Sequence, residues 1–275
     1  MFTHSNYAVK YTTGKLIVSG NKLELIQYSM PVRSDTRDYE IKKNKNSGNE
    51  KRLDNLLRAR QNVRQIVWCN VTPHSKFLTL TTSDIVLDKK IFKRRLTTFF
   101  QAMKREDFAL RYLGVLERQK ERGIKEGNLG SIHAHLIIFN DEYIPFEIIN
   151  KHWQGMTDIK VLNGLKYNDN EKIRDIGAYV CKYITKEACQ EWGSRSYFCS
   201  NGLKRPYSIQ QIVYKNEVGE YIGSDTDNQF AINSMLNNCD YVFGARYSID
   251  CDFGGVHSQY ITYEQFNKSD VFKNA

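Results

Sequence analysis

Ile132-His-Ala-His-Leu-Ile-Ile-Phe139 is the stretch on which the fold turns. It is short and almost wholly apolar, and it follows a polar, Gly-containing loop (Lys120 to Ser131), so it reads as a buried central strand. Side chains two apart on a strand share a face. His133 and His135 therefore project from one side, and Ala134, Leu136 and Ile138 from the other, towards backing helices. Upstream, Tyr112-Leu-Gly-Val-Leu-Glu-Arg-Gln119 reads as the strand paired antiparallel with it. Further upstream, Phe77-Leu-Thr-Leu-Thr-Thr82 alternates apolar residues with threonine, as a half-exposed strand does. Between these two strands lies a helix to about Arg105, capped by Asp84 or Asp88, with Ile91, Leu96, Phe99, Phe100 and Met103 mostly on one face. Downstream, Pro145 opens a helix leading to Trp153, Asp158–Leu162 is a fourth strand, and Glu171 to about Ala188 is a strong helix. The order strand, helix, strand, strand, helix, strand, helix defines an α+β class with helices backing an antiparallel sheet.

The histidine face carries the first chemistry. If the 112–119 strand pairs through the loop, Val115, Glu117 and Gln119 share that face, and Glu117 becomes a third ligand beside His133 and His135. Two imidazoles and a carboxylate suit a divalent ion with open coordination positions. Gln119 and His152 are the other residues able to fill the third place. The same spacing also arises from two hydrogen-bonded structural histidines. A cupin-type site is disfavoured, because Phe139 and Asn140 stand where it requires a glutamate.

The second chemistry lies in Tyr179-Val-Cys-Lys-Tyr-Ile-Thr-Lys186. At roughly 100° per residue, Tyr179, Lys182, Tyr183 and Lys186 form one stripe, away from a core face of Ile173, Gly177, Val180, Cys181 and Ile184. An amphipathic helix with tyrosines at its core margin satisfies this pattern. So does a phenol that attacks a phosphodiester. A free phenol has a pKa of about 10 and needs help near neutral pH. A lysine that stabilises the phenolate and a metal that polarises the phosphate supply such help.

Composition narrows the partners. Of 275 residues, 40 are Lys or Arg and 31 are Asp or Glu, a net charge of +9, which favours polyanions and nucleic acid first. The six cysteines form no CxxC pair, which disfavours a zinc knuckle, and they read as small buried hydrophobes. No Walker A or GxGxxG motif occurs, which argues against a fused ATP-driven motor. No apolar run reaches the roughly 20 residues of a membrane helix, and Met1–Lys10 lacks a secretory pattern, so a cytoplasmic protein is expected.

Together these motifs resemble the HUH endonucleases, specifically the rolling-circle replication initiators of plasmids and small single-stranded DNA phages. Phe77–Thr82 resembles the family's first motif, and His133-Ala-His135 its His-hydrophobic-His metal motif. Glu117 matches the acidic third ligand, and Tyr179-Val-Cys-Lys182 the nucleophile motif. The extension through Tyr183 and Lys186 resembles the two-tyrosine initiators of the microvirus type. The likeness spans roughly residues 75–206. It implies a ferredoxin/RRM-like antiparallel sheet of about five strands and an Mg²⁺ or Mn²⁺ cofactor. It also implies nicking of single-stranded or hairpin origin DNA through a 5′-phosphotyrosine on Tyr179, and a borrowed host helicase and polymerase. Tyr183 either performs a second cleavage or positions DNA.

Lys186, Arg195, Tyr197, Lys204 and Arg205 are expected along the DNA, as phosphate contacts beside stacking aromatics. Three regions are expected: an accessory β arm and basic helix over 1–65, the nicking domain over 66–206, and a C-terminal extension over 207–275 packed on that domain. Residues 32–64 hold ten basic and five acidic residues. An HUH transposase or relaxase shares the chemistry, although relaxases usually place the tyrosine before the histidines. A non-catalytic RRM-like binding module would instead need exposed aromatics where His and Glu stand.

Overall fold

The computed structural model describes residues 8–34, 48–119, 130–162, 176–183, 196–216, 219–253 and 256–268. In chain order its elements are β1 (Val9–Ser19), β2 (Lys22–Arg33), α1 (Gly48–Asn70), β3 (Lys76–Thr82), α2 (Lys89–Arg105), β4 (Tyr112–Gln119), β5 (Ser131–Ile138), α3 (Phe146–His152), β6 (Gly155–Val161), α4 (Ile176–Cys181), β7 (Phe198–Cys199), β8 (Tyr207–Lys215), β9 (Tyr221–Ser224), α5 (Thr226–Leu236), β10 (Cys239–Phe253) and β11 (Val256–Lys268). The class is α+β, with two antiparallel sheets of six and five strands. The chain divides into two compact units, one of residues 45–205 and one of residues 1–44 with 206–275.

In the 45–205 unit the strand order is β6-β3-β5-β4-β7, with the His-bearing β5 at the centre. The even-numbered face of β5 carries Ala134, Leu136 and Ile138. These pack with Leu78, Leu80 and Leu116 against Phe92, Leu96, Phe99 and Met103 of α2 and Ile149 of α3. Burying a phenylalanine such as Phe92 or Phe99 contributes about 1.5–3 kcal/mol. The helix uses Phe92 for this, whereas Ile91, expected on the core face, is exposed. Four-residue and three-residue steps carry Phe92 through Leu96 and Phe99 to Met103, and position 91 falls off that line. Asp88 is the cap, accepting from the Lys90 N–H at 2.7 Å. Asp84 is instead engaged by the Arg95 guanidinium.

The opposite face of this sheet is not free of helices, contrary to the expectation of helices on one side only. Phe77, Leu113, Val115 and Ile137 are covered by Leu56, Val63, Ile66 and Val67 of α1 and by Val180 and Cys181 of α4. Helix α1 runs unbroken through residue 65, because its apolar positions continue to Val67. Beyond this cover, the same face carries Glu117, His133 and His135. Pro145 caps α3 rather than lying in its first turn. Asn70, buried at the end of α1, donates to Ile66 O and Lys204 O and accepts from the Lys204 N–H. It thereby pins the loop that follows β7.

In the other unit the order is β10-β11-β2-β1-β8-β9. Gly20, at φ 64°, closes the tight turn from β1 to β2, where a residue with a Cβ is strained. Leu16, Val18, Leu23 and Leu25 form a small core with Ile232 of α5.

Candidate metal and tyrosine site

The site is built by strand register. β4 pairs antiparallel with β5 so that Glu117 opposes His133 and Val115 opposes His135. Directly opposed residues share a face. All three polar side chains therefore meet on one side of the sheet. His133 Nε2 and His135 Nε2 lie 3.2 and 2.9 Å from the same Glu117 oxygen, Oε2. One ligand atom from each of the three lies within 4.8 Å of the others. Two imidazole nitrogens and a carboxylate oxygen converging on one point are a fitting donor set for a divalent cation. The side chains of His133, His135 and Glu117 are 13%, 6% and 27% exposed, so Glu117 is the open side of the cluster.

Electrostatics tune the three groups for this. Burial opposes ionisation of Glu117, but the His133 and His135 hydrogen bonds outweigh it and hold the carboxyl at about 2. Glu117 is thus an anion over the whole physiological range. Burial pushes His135 below the usual imidazole range, although the Glu117 hydrogen bond opposes this. A neutral imidazole is the form that binds a metal. On the far side of the ring, Thr79 Oγ1 lies 3.2 Å from His135 Nδ1. Thr79 opposes His135 in the β3–β5 register. Its hydroxyl orients the ring by a hydrogen bond to the nitrogen that faces away from the cluster.

The tyrosines join the same face. The Tyr183 ring stacks on His135 with centroids 3.8 Å apart, and the Tyr179 and Tyr183 hydroxyls are 3.1 Å apart. Phe77 sits between the groups, with ring contacts to His135, Tyr179 and Tyr183 at 5.4–5.8 Å. Lys182 Nζ lies 3.8 Å from the Tyr179 ring centroid and 4.7 Å from that of Tyr183. Burial, then the hydrogen bond and charge of Tyr179, then the Glu117 charge, push the Tyr183 hydroxyl well above its usual range.

The described helix here is α4 alone. Lys182 and Tyr183 follow it in a turn with Lys182 N–H donating to Tyr179 O and Tyr183 N–H to Val180 O. The tyrosines are half-buried against the core cluster rather than held away from it, because α4 lies on the sheet face that bears the histidines.

Other expected residues fall elsewhere. His152 pairs with Glu106 at 2.8 Å and is not in the cluster. Gln119 lies at the end of β4 opposite Ser131, beyond the three ligands. Tyr197 precedes β7, half-buried against the same core cluster as the tyrosines. Lys204 and Arg205 are exposed on the loop after β7, where Arg205 Nη2 donates to Cys199 Sγ at 3.1 Å. Lys186 and Arg195 lie outside the described residues.

Three residues enter the site that the sequence reading did not single out. Thr79 was visible as one of the alternating threonines, and Phe77 as the start of that strand. Lys160 was not, because its place depends on β6 pairing with β3 so that Lys160 opposes Phe77 and Asp158 opposes Thr79. Lys160 is held charged by Asp158 at 2.8 Å and, more weakly, by the nearby Tyr179 phenol.

Fold and site together define an α+β protein whose antiparallel sheet carries a possible metal-binding triad beside two tyrosines. Residues 75–188 match the ORF2-type family model of replication-associated proteins. That segment starts just before β3 and runs through the triad and both tyrosines. The match supports a Rep-type protein with a part in DNA replication. No curated protein and no solved structure matches the chain. Among the described residues, no helix is long and apolar enough to cross a membrane.

Proposed function

We propose that the protein starts rolling-circle replication by nicking and rejoining single-stranded origin DNA, in the manner of the HUH initiators. The observation that carries this reading is the stack of Tyr183 on His135, with Tyr179 hydrogen-bonded to Tyr183. It sets a phenol pair against a possible metal triad, and neither motif alone is specific.

Tyr179 is the first nucleophile. Tyr183 keeps its proton to higher pH, so it is the donor in the pair and stabilises the Tyr179 phenolate. Lys182, nearer Tyr179, favours the same charge. The Tyr179 proton goes to solvent, and Tyr179 Oη attacks the scissile phosphorus. The bond to the 3′ oxygen breaks, and that oxygen leaves as a hydroxyl after taking a proton from solvent. Tyr179 is left esterified to the 5′ phosphate. Lys182 and Lys160 offset the phosphate's charge as it shifts. An ion held by Glu117, His133 and His135, Mg²⁺ or Mn²⁺ by donor chemistry, supplies Lewis-acid polarisation of the phosphate. Reversal of these bonds, with another 3′-hydroxyl attacking, rejoins the strand. The free 3′-hydroxyl would prime a host polymerase, and with no motor motif in the chain a host helicase would open the duplex. Lys186, Arg195, Tyr197, Lys204 and Arg205 would extend the contact with DNA.

The test is incubation of the full chain with single-stranded origin libraries and Mn²⁺, followed by a denaturing gel. A denaturation-resistant protein–DNA adduct is expected, abolished in Tyr179→Phe and strongly reduced in His135→Ala. An adduct that survives Tyr179→Phe and disappears in Tyr183→Phe reverses the nucleophile assignment. Unchanged DNA binding with no adduct under any metal points to a binding module instead.

A further inference from the structure

Helix α2 carries seven basic residues and no acidic one in its 17 positions. Lys90, Lys93 and Arg94 are exposed or partly so, on the side away from the core. Between this helix and the β4–β7 edge lies a cavity of about 300 Å³ whose lining includes Lys89, Lys93, Thr97, Phe100, Tyr112 and Phe198. No carboxylate lines it. One wall is an aromatic stack, with Phe100 and Tyr112 parallel to within 10° at 3.9 Å and Phe198 set edgewise to Tyr112 at 6.0 Å.

This cavity is not part of the triad site. Strand alternation turns Tyr112 and Leu116 to the α2 side of β4, and Leu113, Val115 and Glu117 to the other side. A flat aromatic wall with ammonium groups beside it matches a nucleobase joined to phosphate. An apolar ligand would make no use of the lysines, and a peptide acid would make no use of the ring stack. A cavity at the small end of the ligand-pocket range suits one base rather than a duplex.

We propose that this cavity is a second DNA site on the reverse side of the sheet. It takes one base of a single strand against Tyr112 and Phe198, with Lys89 and Lys93 on the flanking phosphates. The assignment does not depend on the nicking chemistry.

The test measures fluorescence anisotropy of a labelled single-stranded oligonucleotide with the full chain, in EDTA so that no cleavage occurs. Three variants are used, each checked for a normal thermal melt. The double variant Lys89→Gln/Lys93→Gln should lower the slope of log affinity against log salt by about 1.4, from two contacts at about 0.7 each. Thr97→Trp, on an exposed position whose hydroxyl bonds only its own helix, fills the cavity mouth. It should weaken binding at least about fivefold, the lower range for loss of one stacked base, and should not affect a fully abasic strand. That selective loss should persist in a His135→Ala background, which separates it from the triad site. An unchanged salt slope in the lysine variant overturns the proposal. So does an equal effect of Thr97→Trp on abasic and intact strands. Binding of free mononucleotides without binding of the oligonucleotide, or equal competition by polyglutamate, overturns the assignment to a DNA strand.

Discussion

Replacing Thr79 by valine removes one hydroxyl and keeps the branched shape, so it isolates the hydrogen bond to His135. With His135 Nε2–H donating to Glu117, Nδ1 accepts from the Thr79 hydroxyl. To hold a cation, Nε2 must offer its lone pair, and the proton moves to Nδ1, which then donates to Thr79. A hydroxyl serves both tautomers and valine serves neither. The His135 side chain is only 6% exposed, so water does not easily take the hydroxyl's place. Leaving a buried polar atom unpaired costs about 1–3 kcal/mol. An unpaired buried N–H is rarer than an unpaired acceptor, so the ion-loaded form loses more. Metal affinity in Thr79→Val should therefore fall at least about tenfold, or about 1.4 kcal/mol, within the 10–100-fold range for outer-shell partners. Calorimetric titration of Mn²⁺ into the full chain measures this, and Thr79→Ser should bind nearly as the natural chain does. A folded Thr79→Val protein with Mn²⁺ affinity within about twofold of the natural chain would refute the reasoning.

Three further outcomes are expected. Glu117 binds its proton more weakly folded than unfolded, with a carboxyl near 2 against an ordinary 4.5, so its stabilisation is fully present above about 4.5 and lost as pH falls towards 2. In metal-free chemical denaturation, the stability gap between the natural chain and Glu117→Gln should narrow across that window, and a constant gap would contradict the ion-pair reading. Tyr183→Phe should retain the first DNA adduct at a reduced rate, because it removes the proton donor to Tyr179 but not the nucleophile; single-turnover adduct formation measures this. Gly114→Ala should destabilise the fold by about 1–3 kcal/mol in urea, because a Cβ there meets Leu136 and Phe198 at 2.4 and 2.5 Å. Mn²⁺ affinity should be little changed in that variant, since Gly114 lies on the α2 side of β4.

Much of the site was legible because strand geometry has a period of two. That period alone put His133 and His135 on one face, and antiparallel pairing through the 120–131 loop brought Glu117 to them. The spacing of Tyr179, Lys182 and Tyr183 likewise placed these residues together. Helix α5 was not legible, since its apolar positions form no marked stripe and only Ile232 among its residues is buried. The C-terminal runs read as strands, but nothing local says which strand each one pairs with.

The amino-acid order by itself determined which residues share a face and which element bears them, because those relations depend on backbone periods of a few residues. Only the tertiary structure decided that β6 brings Lys160 towards Tyr179, that Tyr183 is the tyrosine lying on His135, and that both faces of the five-stranded sheet carry helices. It also decided that β1 pairs with β8, about two hundred residues on, to join distant parts of the chain in one sheet. Such pairings are set by hydrogen bonding and burial between segments far apart in the chain, and these leave no repeat in the sequence for a local reading to find.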